Sequence, residues 1–184
     1  MTKKVLVPIA DGCEEIETAC IVDVLRRADA DVTVASVGKL QVTASRGMKL
    51  VADKLLSECV QHTYDLIVLP GGMPGAEHLR DSKELTHMLK RQQQDGRLYA
   101  AICASPAVVL QHHGLLAQRK ATVYPSFADH LGNTEAIDSR VVVDGDCITS
   151  RGPGTALEFA LKLVEMLYGE QKARDIARSL LVDW

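Results

Sequence analysis

Arg97-Leu98-Tyr99-Ala100-Ala101-Ile102-Cys103-Ala104-Ser105-Pro106 decides how this chain is read. Leu98 to Ile102 is a strand-like apolar run that stops abruptly at Cys103. Pro106 suits the first turn of a helix, where its missing N–H costs nothing. Ala107 to Leu110 then continue in helical fashion to about His113, and Gly114 follows. Strand, cysteine, helix is the layout of a nucleophile elbow, which presents a side chain at a sharp turn at the end of a sheet. The free N–H groups and partial positive charge of a helix N-terminus favour a thiolate over a thiol. Most free cysteines are instead inert, buried small hydrophobes, so the other strand ends must distinguish the two readings.

Upstream, Asp65-Leu66-Ile67-Val68-Leu69 reads as a strand buried on both faces. It ends at Pro70-Gly71-Gly72-Met73-Pro74-Gly75, a run suited to neither helix nor strand. Asp81 with Glu84 reads as a capping pair for a helix to Asp95, with Leu85, Met88 and Leu89 inward and Gly96 closing it. Val5 to Ala10 is another buried strand. Its Pro8 cannot donate to a ladder, so it belongs at the strand's end or beside an irregular pairing. Asp11-Gly12 turns the chain, and Cys13-Glu14-Glu15-Ile16-Glu17-Thr18 opens a helix to about Ala28. Its three glutamates suit the positive end of the helix dipole. The spacing places Ile16, Cys20, Val24 and Ala28 on one face. Asp31 to Val37 is β-branched and alternating, a further strand. Leu40–Ala44 and Met48–Ala52 read as short strands around Ser45-Arg46-Gly47, and Lys54–Thr63 as a loop or short helical turn.

Downstream, Ala121 to Tyr124 reads as a short strand running into Pro125. Arg140–Val143 and Cys147–Ser150 flank Asp144-Gly145, a strong hairpin signal. Arg151-Gly152-Pro153-Gly154 breaks the chain, and Thr155 caps a helix to Tyr168 that Gly169 stops. A last amphipathic helix runs from about Glu170 to Leu181. Strands alternating with helices predict a mostly parallel α/β sheet with helices on both faces. Residues 1–184 read as a single domain. Ligands in such sheets bind at the carboxyl ends of the strands. Four marked features sit at such ends: the Asp11–Glu17 segment, the Pro70–Gly75 loop, Cys103, and Tyr124-Pro125. That convergence favours a functional Cys103.

Composition narrows the function classes. A hydrophobic fraction of 47% over 184 residues supports a core without disulfides or metals. A net charge of −3 argues against stable nucleic-acid binding. No apolar run approaches the length of a membrane span, and no signal-peptide cleavage region is visible after Met1-Thr2-Lys3-Lys4, so a cytoplasmic location is expected. The five cysteines contain no Cys-x-x-Cys pair, so free thiols are expected and no metal site is indicated.

A cysteine nucleophile needs a proton partner and an oxyanion site. The Gly71-Gly72 pair and Ala104 offer backbone N–H groups for the oxyanion. A buried, protonated carboxyl beside the sulfur could donate a hydrogen bond and shuttle a proton. Glu14, Glu15 and Glu17 are all candidates, and spacing does not choose among them. His112 and His113 lie a helix away and read as surface residues, so a Cys-His proteolytic dyad has no obvious histidine. Tyr124 sits at a strand end, where a tyrosine can orient a substrate or simply line the rim. Phosphate-loop glycine patterns are absent.

Taken together, Ala10-Asp11-Gly12-Cys13-Glu14-Glu15-Ile16-Glu17, Ser45-Arg46-Gly47, Leu69-Pro70-Gly71-Gly72, Ala100-Ala101-Ile102-Cys103-Ala104-Ser105-Pro106 and Thr149-Ser150-Arg151-Gly152-Pro153-Gly154-Thr155 resemble the ThiJ/PfpI superfamily. More narrowly they resemble its branch containing the human parkinsonism-associated deglycase and the bacterial YajL proteins. The resemblance covers essentially the whole chain in order. It implies a flavodoxin-like three-layer sandwich with small β-hairpins, a homodimer, and no cofactor. It implies that Cys103 is the reactive, easily oxidised cysteine and that Glu17 is the protonated glutamate bonded to its sulfur. It further implies that Gly72 and Ala104 are the oxyanion donors, that Arg27 and Arg46 lie near the dimer interface, and that Pro153 lines the pocket. The implied activities are glutathione-independent glyoxalase, deglycation of dicarbonyl-modified proteins and nucleotides, chaperone action and oxidative-stress protection. Tyr124 departs from the pattern, because human-type members have a histidine before the equivalent of Pro125. Ala104 stands where the proteolytic branch has a histidine, which argues against a protease.

Overall fold

The computed structural model describes residues 2–184. Its main sheet has seven strands: β1 Lys4–Ile9, β2 Asp31–Ser36, β5 Lys54–Leu55, β6 Leu66–Leu69, β7 Leu98–Ile102, β8 Val141–Asp144 and β9 Cys147–Ser150. Their order is β5-β2-β1-β6-β7-β9-β8. All pairings are parallel except β8 with β9, which form the hairpin read from Asp144-Gly145. A separate antiparallel hairpin joins β3 Gln41–Thr43 to β4 Lys49–Val51.

Helices cover both faces of the sheet, as expected for a flavodoxin-like sandwich. Successive residues of a strand point to opposite faces, so β1 divides its side chains. Val5, Val7 and Ile9 enter the core under α1 (Glu15–Arg27), α4 (Ala156–Tyr168) and α5 (Glu170–Ser179). Leu6 enters the opposite core with Leu79 of α2 (Gly75–Asp81) and Leu85, Met88 and Leu89 of α3 (Lys83–Gln94). Leu66-Ile67-Val68-Leu69 is wholly buried because both faces of a parallel sheet are covered.

Pro8 is accommodated in the irregular way its chemistry requires. The Asp65 N–H donates to the Lys4 carbonyl, so even-numbered residues of β1 face β6. The β1–β6 ladder stops at Leu6, one step before Pro8 would owe it a donor.

Several local expectations are corrected. In α1 Ile16 is 52% exposed whereas Glu17, Ile21, Val24 and Leu25 are buried. The helix is therefore rotated relative to its apolar spacing, because the site draws Glu17 inward. The chain between residues 54 and 63 contributes the short edge strand β5 before a 3-10 turn at Leu56–Glu58. Gly75 begins α2 rather than ending a loop, and Ser82, not Asp81, caps α3 by accepting the Leu85 N–H at 3.2 Å. Ala121–Val123 is buried but joins no ladder, and the Thr122 N–H bonds to the Thr149 side chain instead. Thr155 occupies the N-cap position of α4 but bonds backwards to Gly152 and Ser150. The helix after the elbow is a π-helical segment, Pro106–Gln111, in which the His112 N–H reaches back five residues to the Ala107 carbonyl.

Candidate active site

Cys103 sits one residue beyond β7 with φ +64°, a conformation that non-glycine residues rarely adopt. Such strain costs on the order of 1–3 kcal/mol and persists only where the surroundings over-determine it. Here its N–H donates to the Ser150 carbonyl at 3.0 Å, and its carbonyl accepts the Tyr124 N–H at 2.9 Å. The elbow is held from both sides by distant parts of the chain.

Glu17 is the carboxylate that the fold brings to the sulfur. Its side chain is fully buried. Oε2 accepts the Gly71 N–H at 2.7 Å, and Oε1 is buried without an accepted hydrogen bond. The Cys103 thiol lies beside that carboxyl, and the N–H groups of Gly72 and Ala104 face the sulfur. Glu14 and Glu15 turn to the β3–β4 hairpin, where the Ser45 hydroxyl meets Glu14 Oε2 at 2.7 Å and Glu15 Oε2 at 2.9 Å.

The loop after β6 is shaped by close approach. A Cβ on Gly71 would lie 2.6 Å from the Cys103 Cβ. Gly72 has φ +87°, and a Cβ there would lie 2.5 Å from the Gly12 carbonyl oxygen. Ser105, directly behind the elbow, donates from Oγ to the Pro70 carbonyl at 2.6 Å and ties this loop to the cysteine's own segment. Ser105 and Ser150 are the site-building residues that sequence reasoning does not single out, while the Gly71 N–H, offered as an oxyanion donor, is bonded to Glu17 instead. Nothing in the spacing announces a buried serine's acceptor.

The electrostatics belong to a pair. Burial pushes the Glu17 carboxyl up to about 7, against the hydrogen bonds from Gly71 and Cys103. Burial pushes the Cys103 thiol up to about 12, and the Glu17 charge adds to it, while the N–H groups of Gly72 and Ala104 oppose it. The thiolate expected from a helix start is therefore outweighed while Glu17 is ionised. Two adjacent anions are disfavoured, so the pair holds one proton and one negative charge between its two ionisations. Moving that proton from sulfur to Oε1 produces a thiolate with no change in the charge of the pair.

The remaining predicted residues separate. Tyr124 is 43% exposed, bonds the elbow through its backbone, and rests its ring on Gly152, next to Pro153. Arg27 pairs with Asp23 at 2.5 Å on the outer side of α1. Arg46 is exposed in the hairpin turn, its N–H on Glu15 Oε1 at 2.9 Å. No group of three or more metal-ligating side chains is assembled among the described residues. No helix among them is long and apolar enough to cross a membrane.

The architecture has known counterparts. The structure superposes on that of oxidised Toxoplasma gondii DJ-1 with a TM-score of 0.97 and 53% identity, covering 100% of both chains. Protein DJ-1 homolog B of Arabidopsis thaliana is 53% identical over 98% of this chain, which spans 42% of that plant protein. The chain thus spans about half the length, or less, of this curated relative. The Caenorhabditis elegans protein named glutathione-independent glyoxalase DJR-1.2 is 38% identical, with 96% of this chain and 94% of that protein covered. The DJ-1/PfpI family model matches residues 3–166, and with the elbow, the glycine loop and the buried glutamate in place, the chain belongs to the DJ-1/PfpI family.

Proposed function

We propose that the chain is a cysteine-dependent enzyme that converts small dicarbonyls without glutathione and removes them from protein or nucleotide adducts, as a deglycase does. The observation that carries this reading is the fully buried Glu17 carboxyl beside the Cys103 thiol, whose Oε1 has no hydrogen-bond partner of its own. The name of the Caenorhabditis elegans relative supports the reaction class.

In the first step the thiol proton passes to Glu17 Oε1 as sulfur bonds to the aldehyde carbon. The carbonyl electron pair moves to oxygen, toward the N–H groups of Gly72 and Ala104. Glu17 returns its proton to that oxygen, leaving a neutral hemithioacetal. A proton then leaves the thiol-bearing carbon and is delivered to the neighbouring carbon through an enediol. One carbon is oxidised and the other reduced, so no external oxidant is needed. The product is a thioester, which water cleaves to a hydroxy acid and the free thiol. Tyr124 stands where human-type members have a histidine, so Glu17 is assigned the proton transfers. Cys103→Ser is expected to abolish turnover of methylglyoxal; turnover at the wild-type rate in that variant overturns the reading.

A second use of the same sulfur, as a redox sensor or the switch of a redox-regulated chaperone, is favoured by accessibility. Cys103 and Cys20 are partly exposed while Cys13, Cys59 and Cys147 are buried, and of the two only Cys103 stands beside the Gly72 and Ala104 N–H groups. Oxidation to sulfinic acid would set its oxygens against the Gly72 and Ala104 N–H groups and a protonated Glu17. Peroxide titration with mass mapping tests this; oxidation spread evenly over the cysteines counts against it. The proposed partner is a second copy of the chain. Ile16 of α1 and Leu40, Met48 and Val51 of the β3–β4 hairpin region are exposed, and Ser45 joins the two elements.

A further inference from the structure

We propose that the groove between α3 and the segment after the elbow binds a phosphate-bearing small molecule. The groove is open to solvent, offers about 450 Å³, and lies apart from Cys103 and Glu17, neither of which lines it. One wall is the exposed stripe of α3 carrying Lys83, His87 and Lys90, spaced so that all three stand on one helical face. The other wall carries His112 and His113.

Charge in the groove is one-sided. Asp81 is the one acidic lining residue, and Arg80 engages it through two hydrogen bonds of 2.8 and 3.2 Å. That leaves the charges of Lys83 and Lys90 unbalanced within the groove. The His113 wall is fixed in advance. Its Nε2 lies 2.8 Å from the Arg80 carbonyl, which can only accept, so Nε2 carries the hydrogen. The Thr86 hydroxyl gives its own proton to the Ser82 carbonyl at 2.9 Å and lies 3.2 Å from the same Nε2. His113 thereby ties α2, α3 and the post-elbow segment together, and His112 stacks edge-on to it at 4.9 Å.

Two unbalanced ammonium groups flanked by imidazoles match a tetrahedral dianion, which offers oxygens to several donors at once. The volume is that of a small-ligand pocket, and a chain of net charge −3 does not attract a long polyanion. The ligand class is therefore free phosphate or a small phosphate ester, and the assignment is independent of the reaction proposed for Cys103.

Titration of the full chain with inorganic phosphate and, separately, with adenosine diphosphate, read by the histidine ring resonances, tests the site. Saturable movement of His87, His112 and His113 is expected, weakened about tenfold or more in the Lys83→Ala/Lys90→Ala variant. Tighter binding of the diphosphate marks an ester as the ligand; equal binding marks phosphate itself. Absence of saturable movement with both probes at millimolar concentration, or undiminished affinity in the double variant, overturns the proposal. Methylglyoxal turnover in that variant is expected to be unchanged, which keeps this result separate from the fate of the Cys103 reading.

Discussion

Gly71 donates its backbone N–H to Glu17 Oε2 at 2.7 Å, joining the end of β6 to the first turns of α1. That bond fixes one carboxyl oxygen and leaves the other to the cysteine. A proton on the free oxygen and a proton on sulfur are alternatives within one pair, and the chemistry proposed for the site depends on their exchange.

Glu17→Gln keeps an acceptor for Gly71 and removes the base. Loss of a positioned general base typically costs a hundredfold or more in rate. We expect kcat/KM for methylglyoxal to fall by about that factor with the fold intact. The wild-type rate should rise with pH through about 7, where the carboxyl ionises. A Gln variant retaining wild-type turnover removes Glu17 from the reaction.

The same carboxyl governs stability against pH. Its pKa is raised from 4.5 to about 7 on folding, so the folded chain holds this proton more tightly. The contribution is complete below about 4.5 and is lost as pH rises through about 7, on the order of 3 kcal/mol in all. Urea unfolding at the two ends of that window should show this loss, and Glu17→Gln should flatten it. An equal slope in both proteins refutes the assignment.

Gly71→Ala places a methyl 2.6 Å from the Cys103 Cβ and 3.0 Å from Glu17 Oε2. Overpacking of this kind costs about 1–3 kcal/mol. Thermal unfolding should register that loss, and alkylation of Cys103 should change rate because the carboxyl is displaced. A variant with the wild-type Tm shows that the loop yields more than its contacts allow.

Ser105→Ala strips the Pro70 carbonyl of its 2.6 Å donor. An orphaned buried acceptor costs about 1–3 kcal/mol. Because the same loop carries the Gly72 N–H, kcat should fall more than KM changes. Steady-state kinetics beside denaturant curves separate the two effects, and a loss confined to stability would remove Ser105 from site positioning.

Val51→Asp introduces a charge at a hairpin position that is 69% exposed in the single chain. Sedimentation should show dimer for the wild type and monomer for the variant. Unchanged mass in the two proteins moves the interface elsewhere or removes it.

The sheet was readable because its strands are dense in Val, Ile and Leu, as double-sided burial demands. Lys54-Leu55 escaped because an edge strand of two residues carries no periodicity. Ile16 and Glu17 misled for a deeper reason: apolar spacing assigns Ile16 inward, whereas the site needs a buried acid. Helical periodicity alone left Glu14, Glu15 and Glu17 equivalent, and only the resemblance singled out Glu17. The geometry then separated them by partner, two to Ser45 and one to Gly71. The thiol's electrostatics were not readable at all, since burial and a neighbouring charge outweigh the helix start.

The backbone clamp on Cys103 ties the reactive group to the chain's order of synthesis. Its φ of +64° is enforced by Tyr124 and Ser150, both made after the cysteine itself. Before those segments exist, the elbow has neither of its two backbone anchors. The pairing of the thiol with a buried acid is thereby withheld until the β8–β9 hairpin has docked.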